Sequence, residues 1–136
     1  MKKQGILNSE IASVLAKLGH TDKICIGDCG LPIPEGVKRI DLAVKLGTPT
    51  FYEVLEEVLK DMEVEQVVMA KEMETHNFSL AKKLEEVFAR NETGFKILEV
   101  SHEELKELTR ECKAVIRTGE NTPYANVILQ SGCIFS

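Results

Sequence analysis

The chain has 136 residues, of which 43% are hydrophobic and 29% charged, with no Trp and a formal net charge of -5. That length suits one domain with a core of its own, and the scarcity of aromatics makes the core aliphatic. The acidic balance, with no Lys/Arg cluster to offset it, argues against a nucleic-acid or anionic-membrane partner and for a small neutral ligand.

Asn8 or Ser9 caps a first helix in which Ile11, Val14, Leu15 and Leu18 follow the i, i+3, i+4, i+7 stripe, with Gly19 suited to a left-handed exit. Lys23 to Ile26 reads as a short buried strand with His20 ahead of it and Asp28 behind it, the latter bracketed by Gly27 and Gly30. Leu31-Pro32-Ile33-Pro34 is an ordered loop, because Pro has no amide hydrogen and restrains the residue before it. Arg39 to Val44 is a second strand, and Thr48-Pro49 opens a helix through Met62. Gln66 to Ala70 is a third strand, an apolar run of the kind buried on both faces of a parallel sheet.

A helix follows from about Asn77 to Phe88, then a fourth strand over Lys96 to Val100. Ser101-His102-Glu103-Glu104 matches a capping box, so His102 opens a helix that runs to about Cys112. Ala114 to Arg117 is a fifth strand, and the polar loop from Thr118 to Pro123 leads through Tyr124-Ala125-Asn126 to a sixth strand at Val127 to Leu129, with a further terminal strand through Ile134 and Phe135. This alternation predicts a single α/β domain over residues 1–136, three-layered α/β/α, with a mostly parallel, mixed sheet of about six strands. Ligands of such sheets collect beyond the carboxyl ends of the strands, where Asp28, His102 and the loop before Tyr124 fall if the strands run parallel.

No stretch is long and apolar enough to cross a bilayer, and the amino terminus reaches Asn8, Ser9 and Glu10 before any apolar run of signal length, so neither membrane span nor leader is expected. Cys25, Cys29, Cys112 and Cys133 form no C-x-x-C pair and read as reduced thiols of a cytoplasmic protein. Cys25 and Cys29 with His20 lack zinc-ligand spacing, so no metal is expected; no dinucleotide or P-loop motif occurs either, and no cofactor is called for.

Each polar candidate has two readings. His20 either places a cationic ring near the last carbonyls of the first helix or works as a general acid and base. Asp28 is either a turn residue bonding its own backbone or a carboxylate acceptor for ligand hydroxyls. His102, at the positive end of a helix, is either an exposed first-turn residue or a neutral ring that accepts a hydrogen bond. Tyr124 is either a core aromatic or, with Asn126, the ring face and amide that hold a sugar. His76 is assigned nothing, and Glu56, Glu57, Glu72 and Glu74 read as solvated charges.

At Gly5-Ile6-Leu7-Asn8-Ser9, Leu18-Gly19-His20-Thr21-Asp22, Asp28-Cys29-Gly30-Leu31-Pro32-Ile33-Pro34, Ile40-Asp41, Ala114 through Glu120 and Pro123-Tyr124-Ala125-Asn126, the sequence resembles the D-ribose pyranase family, also called the RbsD family. The resemblance implies a cytoplasmic isomerase that interconverts the β-pyranose and β-furanose forms of D-ribose. It also implies a homodecamer of two pentameric rings with sites near subunit boundaries. Carried over by position, His20 matches the family's proton donor, and Asp28, His102, Tyr124, Ala125 and Asn126 match its sugar-binding residues. Cys29 departs from the family pattern, which has Ala there, and is expected to be inert packing. The sister fucose mutarotases tend to show Gly-His-Gly-Asp, lack the Gly-Leu-Pro after the Asp and have no His matching His102, so a mutarotase of another monosaccharide is the runner-up. A non-catalytic sugar-binding accessory module and a self-assembling scaffold are the alternatives outside that class.

Overall fold

A computed structural model describes residues 1–90 and 94–135 of the chain. Its strands are β1 Lys23–Gly27, β2 Lys38–Asp41, β3 Val64–Ala70, β4 Lys96–Val100, β5 Ala114–Arg117 and β6 Val127–Ser131, joined in one six-stranded sheet in the order β2-β5-β1-β6-β3-β4. β5 is parallel to β1 and β2, and β3 is parallel to β4, whereas β6 runs antiparallel to both β1 and β3. Every strand except β6 therefore points the same way. One edge of the sheet gathers the ends of β1, β4 and β5 with the start of β6; the opposite edge gathers the starts of β1 and β3 with the end of β6.

The helices are α1 Ser9–Lys17, α2 Phe51–Asp61, α3 Glu72–His76, α4 Phe78–Ala89 and α5 His102–Leu108, the last continued by a 3-10 turn at Thr109–Glu111. Side chains alternate across a strand, and the cores divide accordingly. Ile24, Ile26, Ala114, Ile116, Val127 and Leu129 face Ile11 of α1, Phe51 and Leu55 of α2 and Leu84 of α4. Cys25, Val115 and Ile128 face the other way, toward Leu31, Leu105 of α5 and Cys112. The result is the expected three-layer α/β/α arrangement.

Several boundaries differ from expectation, each for a local reason. Asn8 caps α1 by accepting from the Ile11 N–H at 2.9 Å. Gly19 does not supply a left-handed exit: Leu18 leaves the helix extended, and the positive φ falls at Thr21, at 72°. β2 stops at Asp41 because its carboxylate turns back to the Ala43 N–H at 3.0 Å. α2 begins at Phe51 rather than Thr48-Pro49, since Thr50 is the cap, accepting from the Glu53 N–H. α3 had no sequence signal; its one buried residue, Met73, is too little to make a periodic stripe. Residues 132–135 form no strand, and Ile134 and Phe135 are exposed: the pairing of β6 with β1 and β3 ends at Ser131.

Thr118 and Gly119 carry the chain out of β5 past the loop that precedes α2. The Gly119 N–H donates to Pro49 O at 2.9 Å, and Gly119 O accepts from the Gly47 N–H at 2.6 Å. A Cβ on Gly119 would stand 2.6 Å from Lys45 O and closer still to Thr48 O. Both obstacles are backbone and have no rotamer to escape into. Gly119→Ala is expected to destabilise the fold by about 1–3 kcal/mol, seen as a lower urea midpoint at an unchanged m-value; an unchanged midpoint would mean that the 45–49 loop yields freely.

Candidate functional site

The carboxyl edge of the sheet assembles a polar cluster. Asp28 follows β1 directly, and its N–H donates to Asn126 Oδ1 at 2.9 Å, just ahead of β6. The Asp28 carboxylate turns back to accept from the Gly30 N–H at 3.0 Å. Gly27 permits this closeness, since a Cβ there would meet Leu31 Cδ2 at 2.7 Å and Asn126 Oδ1 at 3.0 Å. Asn126 is fully buried, and its Nδ2 has no partner among the described residues.

His102 reaches the same edge from the end of β4. Ser101 caps α5 by accepting from the Glu104 N–H, and the His102 N–H is held by both oxygens of Glu72, at 3.1 and 3.0 Å. Its ring stands edge-on to Tyr124, with centroids 4.9 Å apart, while Nδ1 is buried with no partner among the described residues. The His76 ring lies near Tyr124 too, at 5.6 Å. Tyr124 holds this place at a φ of 59°, a conformation that costs a bulky residue about 1–3 kcal/mol and collects at functional sites. The Ala125 side chain points into the core instead, leaving its backbone at the edge.

Buttresses fix the loop that carries these residues. Thr118, fully buried, donates its hydroxyl to Gly27 O at 2.8 Å. Glu120 accepts from the Phe51 N–H at the start of α2 at 3.0 Å and from the Thr122 hydroxyl at 2.7 Å, so it caps a helix and braces the loop with one carboxylate. Asn77, between α3 and α4, donates to Thr122 Oγ1 at 2.9 Å and Pro123 O at 2.8 Å. Arg117 Nη1 donates to both carboxylate oxygens of Asp41, at 3.1 and 3.0 Å, and its Nε donates to Cys29 O.

Burial pushes the Asp28 carboxyl above the ordinary carboxylate range, against the Gly30 N–H and the charge of nearby His102, which pull it down. Glu72 is held below that range, chiefly by the His102 N–H. The four cysteines are free thiols. Burial raises Cys25 well above the usual thiol value and Cys112 to about 12, so both are inert packing. Among the described residues no group of three or more His, Cys, Asp or Glu side chains is arranged to hold a metal ion.

His20 lies elsewhere. It precedes β1 at the opposite edge, and a five-residue strand spans about 17 Å. Its Nε2 is 2.9 Å from Glu65 Oε2 at the start of β3, and Gln130 near the end of β6 donates to Glu65 Oε1 at 2.7 Å. The structure thus brings together Asp28, His102, Tyr124 and Asn126 and leaves His20 outside the cluster. Sequence reasoning passed over Glu65, Gln130, Asn77 and Glu120, assigned nothing to His76, and took Glu72 for a solvated charge. All six work through long-range contacts; only the Glu120 position, three residues before Pro123 in the loop, had any local mark.

The sequence profile of the RbsD / FucU transport protein family matches residues 1–134. A D-ribose pyranase of Bacillus cytotoxicus is 57% identical over 135 residues, covering 99% of this chain and all of the relative (100%). The structure of Bacillus subtilis RbsD complexed with D-ribose superposes with a TM-score of 0.93 at 52% identity, covering 99% of this chain and 100% of that one. The fucose mutarotase of Streptococcus pneumoniae, solved with L-fucose, has a TM-score of 0.73 at 20% identity over 95% of each chain, a likeness of fold.

The direction of the Asp28 shift has a measurable consequence. A carboxyl whose folded pKa is raised binds its proton more tightly in the folded state, so ionising it destabilises the fold as pH rises from the ordinary carboxylate value through the folded one. Asp28→Asn removes that cost. The variant is expected to melt above the wild type at neutral pH, with the gap closing as pH falls below the ordinary carboxylate value, in parallel thermal melts. A gap that widened toward acid would contradict the assignment.

Proposed function

We propose, because the chain belongs to the RbsD / FucU family, that it is an intramolecular isomerase interconverting the β-pyranose and β-furanose forms of D-ribose, acting in the cytoplasm on a neutral monosaccharide without a cofactor. One observation carries this reading: at the carboxyl edge an Asp carboxylate stands beside two buried nitrogens, His102 Nδ1 and Asn126 Nδ2, that lack protein partners among the described residues. Buried polar atoms are left unpaired at a cost of about 1–3 kcal/mol each. A polyhydroxylated ligand, whose hydroxyls both donate and accept, satisfies all three groups, and the Tyr124 ring offers it an apolar face. The relatives named D-ribose pyranase, and the relative solved with D-ribose, support ribose as the sugar.

The chemistry needs one proton given and one taken. In the pyranose the anomeric hydroxyl loses its proton as the bond from C1 to the ring oxygen breaks, C1 becomes the aldehyde carbonyl, and the ring oxygen takes up a proton. Rotation of the open chain brings the 4-hydroxyl to C1; it loses its proton as the new ring closes, and the aldehyde oxygen regains one. His20 gives the proton to the ring oxygen and later recovers it, while Asp28 and His102 orient hydroxyls and take up the anomeric proton. Positioned acid and base groups supply about 10²- to 10⁴-fold in such steps.

His20 and Asp28 stand at opposite edges of one sheet, so the His20 that meets the sugar comes from a neighbouring copy. A contact between two different edges of the same fold is heterologous, and heterologous contacts that close make rings. This supports a ring-forming homo-oligomer with the site at its subunit boundary; a decamer of two pentameric rings is the form that the family resemblance implies.

Two measurements test the proposal. Proton-NMR magnetisation exchange between ribopyranose and ribofuranose signals is expected to accelerate with the protein and to fall back to the uncatalysed rate with His20→Ala. A wild-type protein that binds ribose without accelerating exchange would be a sugar-binding module instead. Mixing unfolded His20→Ala and Asp28→Asn chains and refolding them together is expected to restore part of the wild-type rate, since some boundaries then pair an intact His20 with an intact Asp28. Hybrids as inactive as either parent would place both residues on one copy.

A further inference from the structure

The amino edge holds a built device around His20 that the reaction scheme above does not use. β3 and β6 keep a regular antiparallel ladder from Gln66 onward, but the register shifts between Val64 and Gln66, so Glu65 is the extra residue of a β-bulge. A bulge re-aims a side chain and recurs next to active sites. Here it turns Glu65 onto two partners: Gln130 Nε2 donates to Oε1 at 2.7 Å, and Oε2 lies 2.9 Å from His20 Nε2. The backbone beneath His20 is pinned as well. The Thr21 N–H donates to Ser131 O at 2.9 Å, the Ser131 N–H donates to Asp22 O at 2.8 Å, and the Asp22 carboxylate accepts from the Gly19 N–H at 2.8 Å. Thr21 meanwhile sits at a positive φ of 72°, an uncommon setting for a β-branched residue.

We infer that Glu65 is a positioning residue for His20: it binds Nε2–H, fixes the ring's orientation and tautomer, and leaves Nδ1 as the nitrogen through which the proton reaches and leaves the sugar oxygen. An ionised carboxylate only accepts hydrogen bonds, so its partner Nε2 must carry the hydrogen. Glu65 is ionised at neutral pH, being held below the ordinary carboxylate range by Gln130 and by His20 itself. In the neutral ring the other nitrogen, Nδ1, then keeps its lone pair, and it has no protein partner among the described residues. In the forward direction Nδ1–H of the imidazolium gives its proton to the ring oxygen, and the ring left behind is the tautomer that Glu65 selects. When the furanose closes, Nδ1 takes a proton from the 4-hydroxyl, and the starting form returns. Gln130 saturates the other carboxylate oxygen, so Glu65 has no reason to swing away from the ring.

This inference rests on the proposed ribose reaction for its kinetic consequence, but its structural core is testable alone. In protein labelled with 15N-histidine, the neutral His20 ring is expected to show a protonated Nε2 and a bare Nδ1, and Glu65→Gln, which can offer either an N–H or a C=O, is expected to give a mixture of the two tautomers. For the exchange of ribose, Glu65→Gln is expected to lower kcat by about 10- to 10²-fold with KM changed by less than about 2-fold, the pattern of a lost orienting group rather than a lost sugar contact. A neutral wild-type ring protonated on Nδ1, or a Glu65→Gln protein with wild-type kcat, overturns the inference. Failure of the wild type to exchange ribose at all overturns the reaction and not the Glu65 contact, which the nitrogen spectra decide without it.

Discussion

A single hydrogen bond, from the Asp28 N–H to the buried Asn126 side chain, joins the end of the most central parallel strand to the start of the reversed one. Its acceptor cannot exchange for water, because Asn126 is fully buried, and leaving a buried amide unpaired costs about 1–3 kcal/mol. The bond also requires that Gly27 be bare of a side chain, since Leu31 and Asn126 occupy the place of a Cβ. Through it the position of the Asp28 carboxylate is set by the hydrophobic core beneath β1 and β6 rather than by the surface loop that follows.

The reversal of β6 is what makes such a junction available. In an all-parallel sheet the carboxyl edge collects only residues that follow strands. Here the segment that precedes β6, Tyr124 to Asn126, arrives at the same edge as Asp28 and His102. The same reversal delivers Gln130 to the far edge, beside Glu65 and His20. One antiparallel strand thus furnishes polar groups to both ends of the molecule. In the proposed assembly those two ends meet across a subunit boundary.

Several features run against stability and recur where the sugar is proposed to sit. Asp28 is a carboxylate whose charged form is disfavoured by burial, Tyr124 holds a left-handed backbone, and two buried nitrogens lack partners. Each is the kind of local violation that persists when the surrounding structure over-determines it. The buttresses are correspondingly dense. Glu120 braces the loop against the start of α2, Asn77 ties it to the α3–α4 junction, and Thr118 anchors it to β1.

The amino-acid order by itself determined the elements with strong local signatures. The apolar stripe of α2, the Ser101 N-cap and the β-rich runs of β4 and β5 match the structure closely, because each depends on contacts a few residues apart. The four residues that the candidate cluster gathers, Asp28, His102, Tyr124 and Asn126, were singled out from residue types and family motifs. Tertiary structure alone decided the rest: the direction of β6, the short helix α3 that has only Met73 to anchor it, the service of Glu72 to His102 from thirty residues away, and the bulge that aims Glu65 at His20. It also put His20 and Asp28 on opposite edges. Nothing in a linear pattern encodes which way a strand enters a sheet, since its side chains alternate identically in either direction, and only the pairing of β6 with β1 and β3 resolves the choice.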